Sequence, residues 1–161
     1  MQIEIQGQKN QNQLSPSLND LNTALIFDFK LDQIIKDKNT WLPYQLSIKT
    51  PSFSQSFESK NFVLCLNPKN EISFLKLNLS DFLNSEKLKF IFEAIEPCFE
   101  LKIKRVEKGF KLYFWLDSGN TDFEYYTWDA LGLRLFVGEE ELKALINSIE
   151  ILEEKLQKVI I

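Results

Sequence analysis

The sequence predicts an α+β fold: an antiparallel β-sheet, laid out as a meander, with a C-terminal amphipathic helix and one further helix packed on its apolar face. Three observations predict it. From Lys89 to Leu116 apolar residues alternate with charged ones through segments broken by turn signals. From Glu139 to Val159 the apolar residues instead follow helical spacing, and Ile72 to Leu83 carries a second, shorter run of that kind. A chain of 161 residues, 44% hydrophobic and 26% charged, is long enough to bury the core such a fold needs as one domain, 1–161.

Gln2 to Ile5 suits a short strand, and the polar, Gln- and Asn-rich stretch over 7–20 reads as a loop or mobile segment. Leu25–Leu31 (LIFDFKL) and Trp41–Ile48 (WLPYQLSI) read as strands; in the second, Leu42, Tyr44, Leu46 and Ile48 alternate with Pro43, Gln45 and Ser47. Because Pro43 has no N–H to donate, that strand is expected at a sheet edge, or to begin irregularly there. SFSQSFES and NFVLCL follow as further strands, and Asn67–Asn70 as a turn. The segment Glu71 to Ser85 fits a helix through Ile72, Leu75, Leu79, Phe82 and Leu83, a strand of that length being unusual.

The register of the meander follows from its apolar residues. A turn at Ile95-Glu96-Pro97-Cys98 places Ala94 opposite Phe99, Phe92 opposite Leu101 and Phe90 opposite Ile103. A slip of one residue would turn the whole set outward. Pro97 requires either a cis Glu96–Pro97 bond or a wider loop. At the next turn, pairing Arg105 with Phe110 sets Ile103 against Leu112, Leu101 against Phe114 and Phe99 against Leu116, so Val106 to Gly109 form a four-residue turn. Leu131, Leu133, Leu135 and Val137 line one side of a fourth strand, and the helix after it opens with Glu139, Glu140 and Glu141, where its dipole favours acids. Its apolar stripe is expected to meet the apolar face of the meander.

Composition narrows the chemistry. There is no histidine, which removes histidine-based triads, histidine general bases and most catalytic zinc sites. With five glycines and no GxxxxGK[ST] or GxGxxG stretch, no phosphate-binding loop is present. Cys65 and Cys98 lack metal or redox spacing and read as small buried hydrophobes. A net charge of −4 argues against a nucleic-acid partner. No apolar run is long enough for a membrane span, and the first residues carry no export signal, so a cytoplasmic protein without cofactor or metal is expected.

Two surfaces are candidates for function. The register puts Glu93 opposite Glu100 on the outward face, with Trp115 beside Glu100 and Tyr113 and Asp117 nearby. Facing carboxylates can act as an acid/base pair, because proximity separates their pKa values. Equally, an outward face with Lys89, Lys102, Lys104 and Lys111 is an ordinary solvated surface. If that face is functional, Tyr113 and Trp115 favour partner binding over catalysis. The second candidate is Asp117 to Gly132, where Asp122, Glu124 and Asp129 interleave with Tyr125, Tyr126 and Trp128. It lacks calcium-loop spacing, and reads either as a partner-binding loop or as a connection whose aromatics return to the core.

The order of elements resembles the WapI-type immunity proteins. The likeness is carried by the acidic FDF ending an early strand, WL opening WLPYQLSI, the SFSQSFES segment, EP inside FEAIEPCFELKI, and the acidic-start helix VGEEELKALINSIEIL. It covers most of the chain from Leu25 to Leu156. The resemblance implies a non-catalytic cytoplasmic bacterial protein that binds and neutralises a cognate toxin domain. The alternative from the residues alone is a small ligand-binding or carboxylate-dependent hydrolytic domain using the Glu93/Glu100 face.

Overall fold

A computed structural model describes residues 1–7, 23–36, 40–50, 53–57, 65–94, 99–117 and 130–160. The chain runs through β1 (Gln2–Gln6), β2 (Ala24–Phe29), a 3-10 turn (Leu31–Gln33), β3 (Ile35–Lys36), β4 (Thr40–Thr50), β5 (Phe53–Phe57) and β6 (Cys65–Leu66). A π turn (Pro68–Ile72) then leads into α1 (Ser73–Asn84). After it come β7 (Lys89–Glu93), β8 (Phe99–Val106), β9 (Gly109–Asp117), β10 (Ala130–Val137) and α2 (Glu139–Ile160). The fold is α+β, with every described strand pair antiparallel.

The strands form two sheets. In the first, β1, β2, β4 and β5 are successive neighbours, and two-residue β3 and β6 also pair with β4. The second is the four-stranded meander β7-β8-β9-β10. One plan therefore occurs twice along the chain, a meander followed by a helix. The register of the second sheet is the one that buries its apolar residues: Phe90 faces Ile103 and Phe92 faces Leu101; Arg105 faces Phe110, Ile103 faces Leu112, Leu101 faces Phe114 and Phe99 faces Leu116. The Val106–Gly109 turn closes with Val106 opposite Gly109. Gly109 has a φ of +130°, and a β-carbon there would lie 2.8 Å from the Val137 carbonyl, so glycine is required. The cis or trans state of Glu96–Pro97, and the surroundings of Cys65 and Cys98, fall outside the described residues.

The two sheets meet through aromatic rings. Phe27 of the first packs against Phe99 and Phe114 of the second at ring-centre distances of 5.6 and 5.9 Å, and Tyr44 meets Phe99 edge-on at 6.2 Å. Helix α1 covers the remainder of the meander's apolar face, with Phe82 against Phe90 and Phe110. Helix α2 then closes the layer by packing on α1, the π turn and β1. Its buried stripe is Leu142, Leu145, Ile149, Leu152 and Leu156, the set that helical spacing selects.

The first sheet corrects one expectation. β4 is not an edge strand; it has partners on both sides. Pro43 is tolerated because its missing donor falls where the partner strand ends. The Lys30 N–H donates to the Pro43 carbonyl at 2.9 Å, and the return bond, which a non-proline residue would make to the Lys30 carbonyl, is replaced by Gln33 N–H at 3.0 Å. That substitute bond is the 3-10 turn, so the proline ends β2, and the chain goes on to β3, which pairs with Thr40 and Trp41 of β4.

Helix ends are capped by side chains the chain supplies locally or brings in from afar. The Asn67 side chain accepts from Asn70 N–H at 3.0 Å, and the buried Glu71 carboxylate accepts from Asn67 N–H, a reciprocal cap spread over one extra residue by the π turn. At the other end of α1 the Arg105 guanidinium, from β8, donates to the carbonyls of Phe82, Leu83 and Ser85 at 2.9, 3.3 and 3.0 Å. It also lies against the Phe82 and Phe110 rings, its Cζ 5.3 and 5.1 Å from their centres. In α2 the Glu141 carboxylate accepts from Gly138 N–H at 3.0 Å.

Candidate functional site: the outer face of the second sheet

Residues alternating with the buried set project from the far side of the meander, and the register arranges them in rows. One row runs Lys89, Lys104, Lys111, Phe136 across β7, β8, β9 and β10; the next runs Ile91, Lys102, Tyr113, Arg134; the third runs Glu93, Glu100, Trp115, Gly132. Glu93 thus lies directly opposite Glu100, and Trp115 beside Glu100, as the sequence register requires. Asp117 sits one step further along β9, paired with Ala130. Asp122, Glu124, Tyr125, Tyr126, Trp128 and Asp129 lie outside the described residues.

What the rows assemble differs in emphasis from an acidic pair. Lys89, Lys102, Lys104, Lys111 and Arg134 give five cations against the two carboxylates of the third row, Glu93 and Glu100, with Asp117 at the next position of β9. Among them stand large apolar groups that water still reaches: Trp115 is 44% exposed, Ile91 41% and Phe136 36%. Tyr113 is half-buried because Lys104 and Arg134 lie over its ring, at 5.7 and 5.2 Å from its centre. Cations held on an aromatic face retain their charge for a partner while gaining from the ring quadrupole. The face is therefore cationic and aromatic, with its acids at one end.

Ile91, Arg134 and Phe136 are the members that sequence reasoning missed. Their signal was present, since Ile91 alternates with Phe90 and Phe92 on β7, and Arg134 and Phe136 with Leu133, Leu135 and Val137 on β10, so that all three must share the outward side with Tyr113. Gly132 is part of the same construction. The Trp115 indole lies across it, so close that a β-carbon on Gly132 would sit 2.3 Å from the ring. An aromatic laid over a cross-strand glycine covers the gap in the sheet and fixes the ring's place.

The first sheet provides an internal comparison. Its corresponding outward residues include Gln2, Glu4, Gln6, Gln45, Ser47, Lys49, Ser54 and Ser56, with Ser47 and Ser56 hydrogen-bonded across the strands at 2.8 Å. No large aromatic is exposed there among the described residues. No group of three or more metal-ligating side chains comes together among the described residues, and no described helix is long and apolar enough to cross a membrane.

No protein-family model matches the chain, and no curated protein matches it. Among solved structures, a chain described as "Structure of the plant transcriptional regulator PBF-2" aligns with 98% of this chain and 82% of its own length, at 10% identity and a TM-score of 0.45. That degree of similarity is too low to establish a common fold.

Proposed function

We propose that this is a non-catalytic binding protein that recognises another protein through the outer face of its second sheet, and that the partner is a toxin domain which it neutralises. The observation that carries the binding half is the contrast between the two sheets. Both bury one face, yet among the described residues only the second exposes large apolar side chains, Trp115, Ile91 and Phe136, among cations on the other. Exposed aromatics with arginine are the residue types that anchor protein interfaces, and an excess of positive charge steers a complementary, here acidic, surface towards them. The toxin half is supported by the resemblance to WapI-type immunity proteins, and implies action in the cytoplasm.

The test is to express the C-terminal portion of the protein encoded immediately upstream, with and without this chain. Survival that depends on this chain, together with a co-purifying pair broken by Trp115→Ala, is the expected result. A harmless neighbour, or one that still kills, removes the toxin half. An intact pair with Trp115→Ala and Arg134→Glu moves the interface off this face.

The interleaving of cations with Tyr113, Trp115 and Phe136 also favours a second reading, a single-stranded nucleic acid whose bases stack on the rings while its phosphates meet lysines. Quenching of Trp115 emission by an oligonucleotide, weakening steeply with salt, would support it. No quenching at low salt would leave protein recognition alone.

A further inference from the structure

Among the described residues β7 is the outermost strand of the second sheet, and its outward edge is complementary to itself. Arg105 N–H donates to the Leu88 carbonyl, and Ala94 N–H to that of Phe99. These bonds set the alternation: Leu88, Phe90, Phe92 and Ala94 turn their backbone groups towards β8, while Lys89, Ile91 and Glu93 turn theirs away. Among the described residues no strand pairs with that outward edge. Natural edge strands are usually covered or blunted, because a bare one is a template for another chain.

The strand reads Lys89-Phe90-Ile91-Phe92-Glu93. Laid antiparallel against a second copy about Ile91, it places Ile91 opposite Ile91. Lys89 of each copy then faces Glu93 of the other, and Phe90 faces Phe92. The outward backbone groups are those of Lys89, Ile91 and Glu93, so they fall at the hydrogen-bonded positions of such a pair. Within its own sheet the charges of β7 are mismatched: Lys89 faces Lys104, and Glu93 faces Glu100. Like charges directly opposite are unfavourable, so the strand's charge order suits a second copy better than its own neighbour.

Apolar exposure points to the same edge. Leu88 is 74% exposed and would come opposite Ala94 of the second copy. On the inner side, Phe74 of α1 is exposed while touching the Phe92 ring at 6.4 Å, and exposed Leu77 follows three residues on. The two copies of α1 would flank the junction and bring these residues together.

We propose that the protein forms a homodimer by antiparallel pairing of β7 with β7 of a second copy, joining the two meanders into one continuous sheet. The dimer does not depend on which partner the outer face takes, but it would place two copies of that face side by side.

Sedimentation equilibrium of the full chain, from micromolar to millimolar, tests it. The expected result is a monomer–dimer equilibrium that Lys89→Glu and Glu93→Lys each weaken about tenfold or more, since two attractive cross-strand pairs become repulsive. The double variant Lys89→Glu/Glu93→Lys restores the complement with its signs exchanged, and should recover wild-type association. Ile91→Pro removes an outward N–H that the internal ladder does not use, a change edge strands tolerate, and should leave a folded monomer. Both single charge changes relieve an internal like-charge pair, so circular dichroism should show them fully folded. A monomer at every concentration overturns the proposal. So does a dimer indifferent to Ile91→Pro, or a double variant as weak as the singles.

Discussion

The Trp115 indole rests on the backbone of Gly132, and only the absence of a β-carbon there allows it to lie flat on the sheet. Gly132→Ala should therefore lift the ring, because the atoms that would clash belong to the far end of a side chain free to swing. Stability should change by less than ~1 kcal/mol, since no core residue moves. The Trp115 emission, isolated by difference against Trp115→Phe, should shift to the red as the ring gains water. An unchanged spectrum would mean that the indole is not held by this contact.

Arg105 is expected to matter far more than its surface position suggests. It satisfies three carbonyls at the end of α1 and packs over both the Phe82 and Phe110 rings. Arg105→Lys keeps the charge but loses the fork and the stacking, and should cost ~1–2 kcal/mol in urea unfolding. Arg105→Ala should cost more, with α1 the first element to lose amide protection in hydrogen exchange. Equal losses for the two variants would show that only the charge counts.

The pH dependence of stability should show the link between the helices. Glu153 of α2 accepts from Ser73 at 2.5 Å and pairs with Lys76 of α1. The hydrogen bond from Lys76, then that from Ser73, hold the Glu153 carboxyl below its usual 4.5, while the bond to Glu153 raises the Lys76 ammonium above 10.5. The carboxylate's contribution is thus present above about 4.5 and lost as pH falls through the lowered value. The ammonium's is present below about 10.5 and lost as pH rises through the raised one. Glu153→Gln should destabilise by ~1 kcal/mol near neutral pH and by progressively less in acid. A difference from wild type that persists unchanged well below pH 4 would be at odds with this link.

Glu100 faces Glu93 across β7 and β8, a like-charge pair in the register of the sheet. Glu100→Gln should raise the unfolding free energy by a few tenths of a kcal/mol. A loss of ~1 kcal/mol or more would mean that the carboxylate has a partner whose removal is felt.

The meander was legible because its residues leave one choice: only one register puts Phe90, Phe92, Phe99, Leu101, Ile103, Leu112, Phe114 and Leu116 on the same side, and the structure has that register. The same pattern placed Glu93, Glu100, Tyr113 and Trp115 on the opposite face. The first sheet was less legible. Its spine β4 pairs with four strands, and the rule that proline marks an edge fails when the neighbouring strand ends at the proline's own level. Nor could spacing alone show that the aromatic layer between Phe27, Tyr44, Phe99 and Phe114 joins two sheets, because alternation says that a face is buried but not against what. Net composition hides the charge of the outer face. The acids of α2 make the whole chain negative while the cations gather on one sheet.

Pro43 has a further consequence for how the first sheet finds its alignment. Alternation of buried and exposed residues cannot detect a slip of two, which keeps every side chain on its proper face. Sliding β2 so that Asp28 met Pro43 would leave the Asp28 carbonyl in mid-ladder with no donor, where Gln45 faces it in the native pairing. The proline therefore works as a vernier mark: it rejects an error to which hydrophobic pattern is blind, at a position where the correct alignment loses nothing.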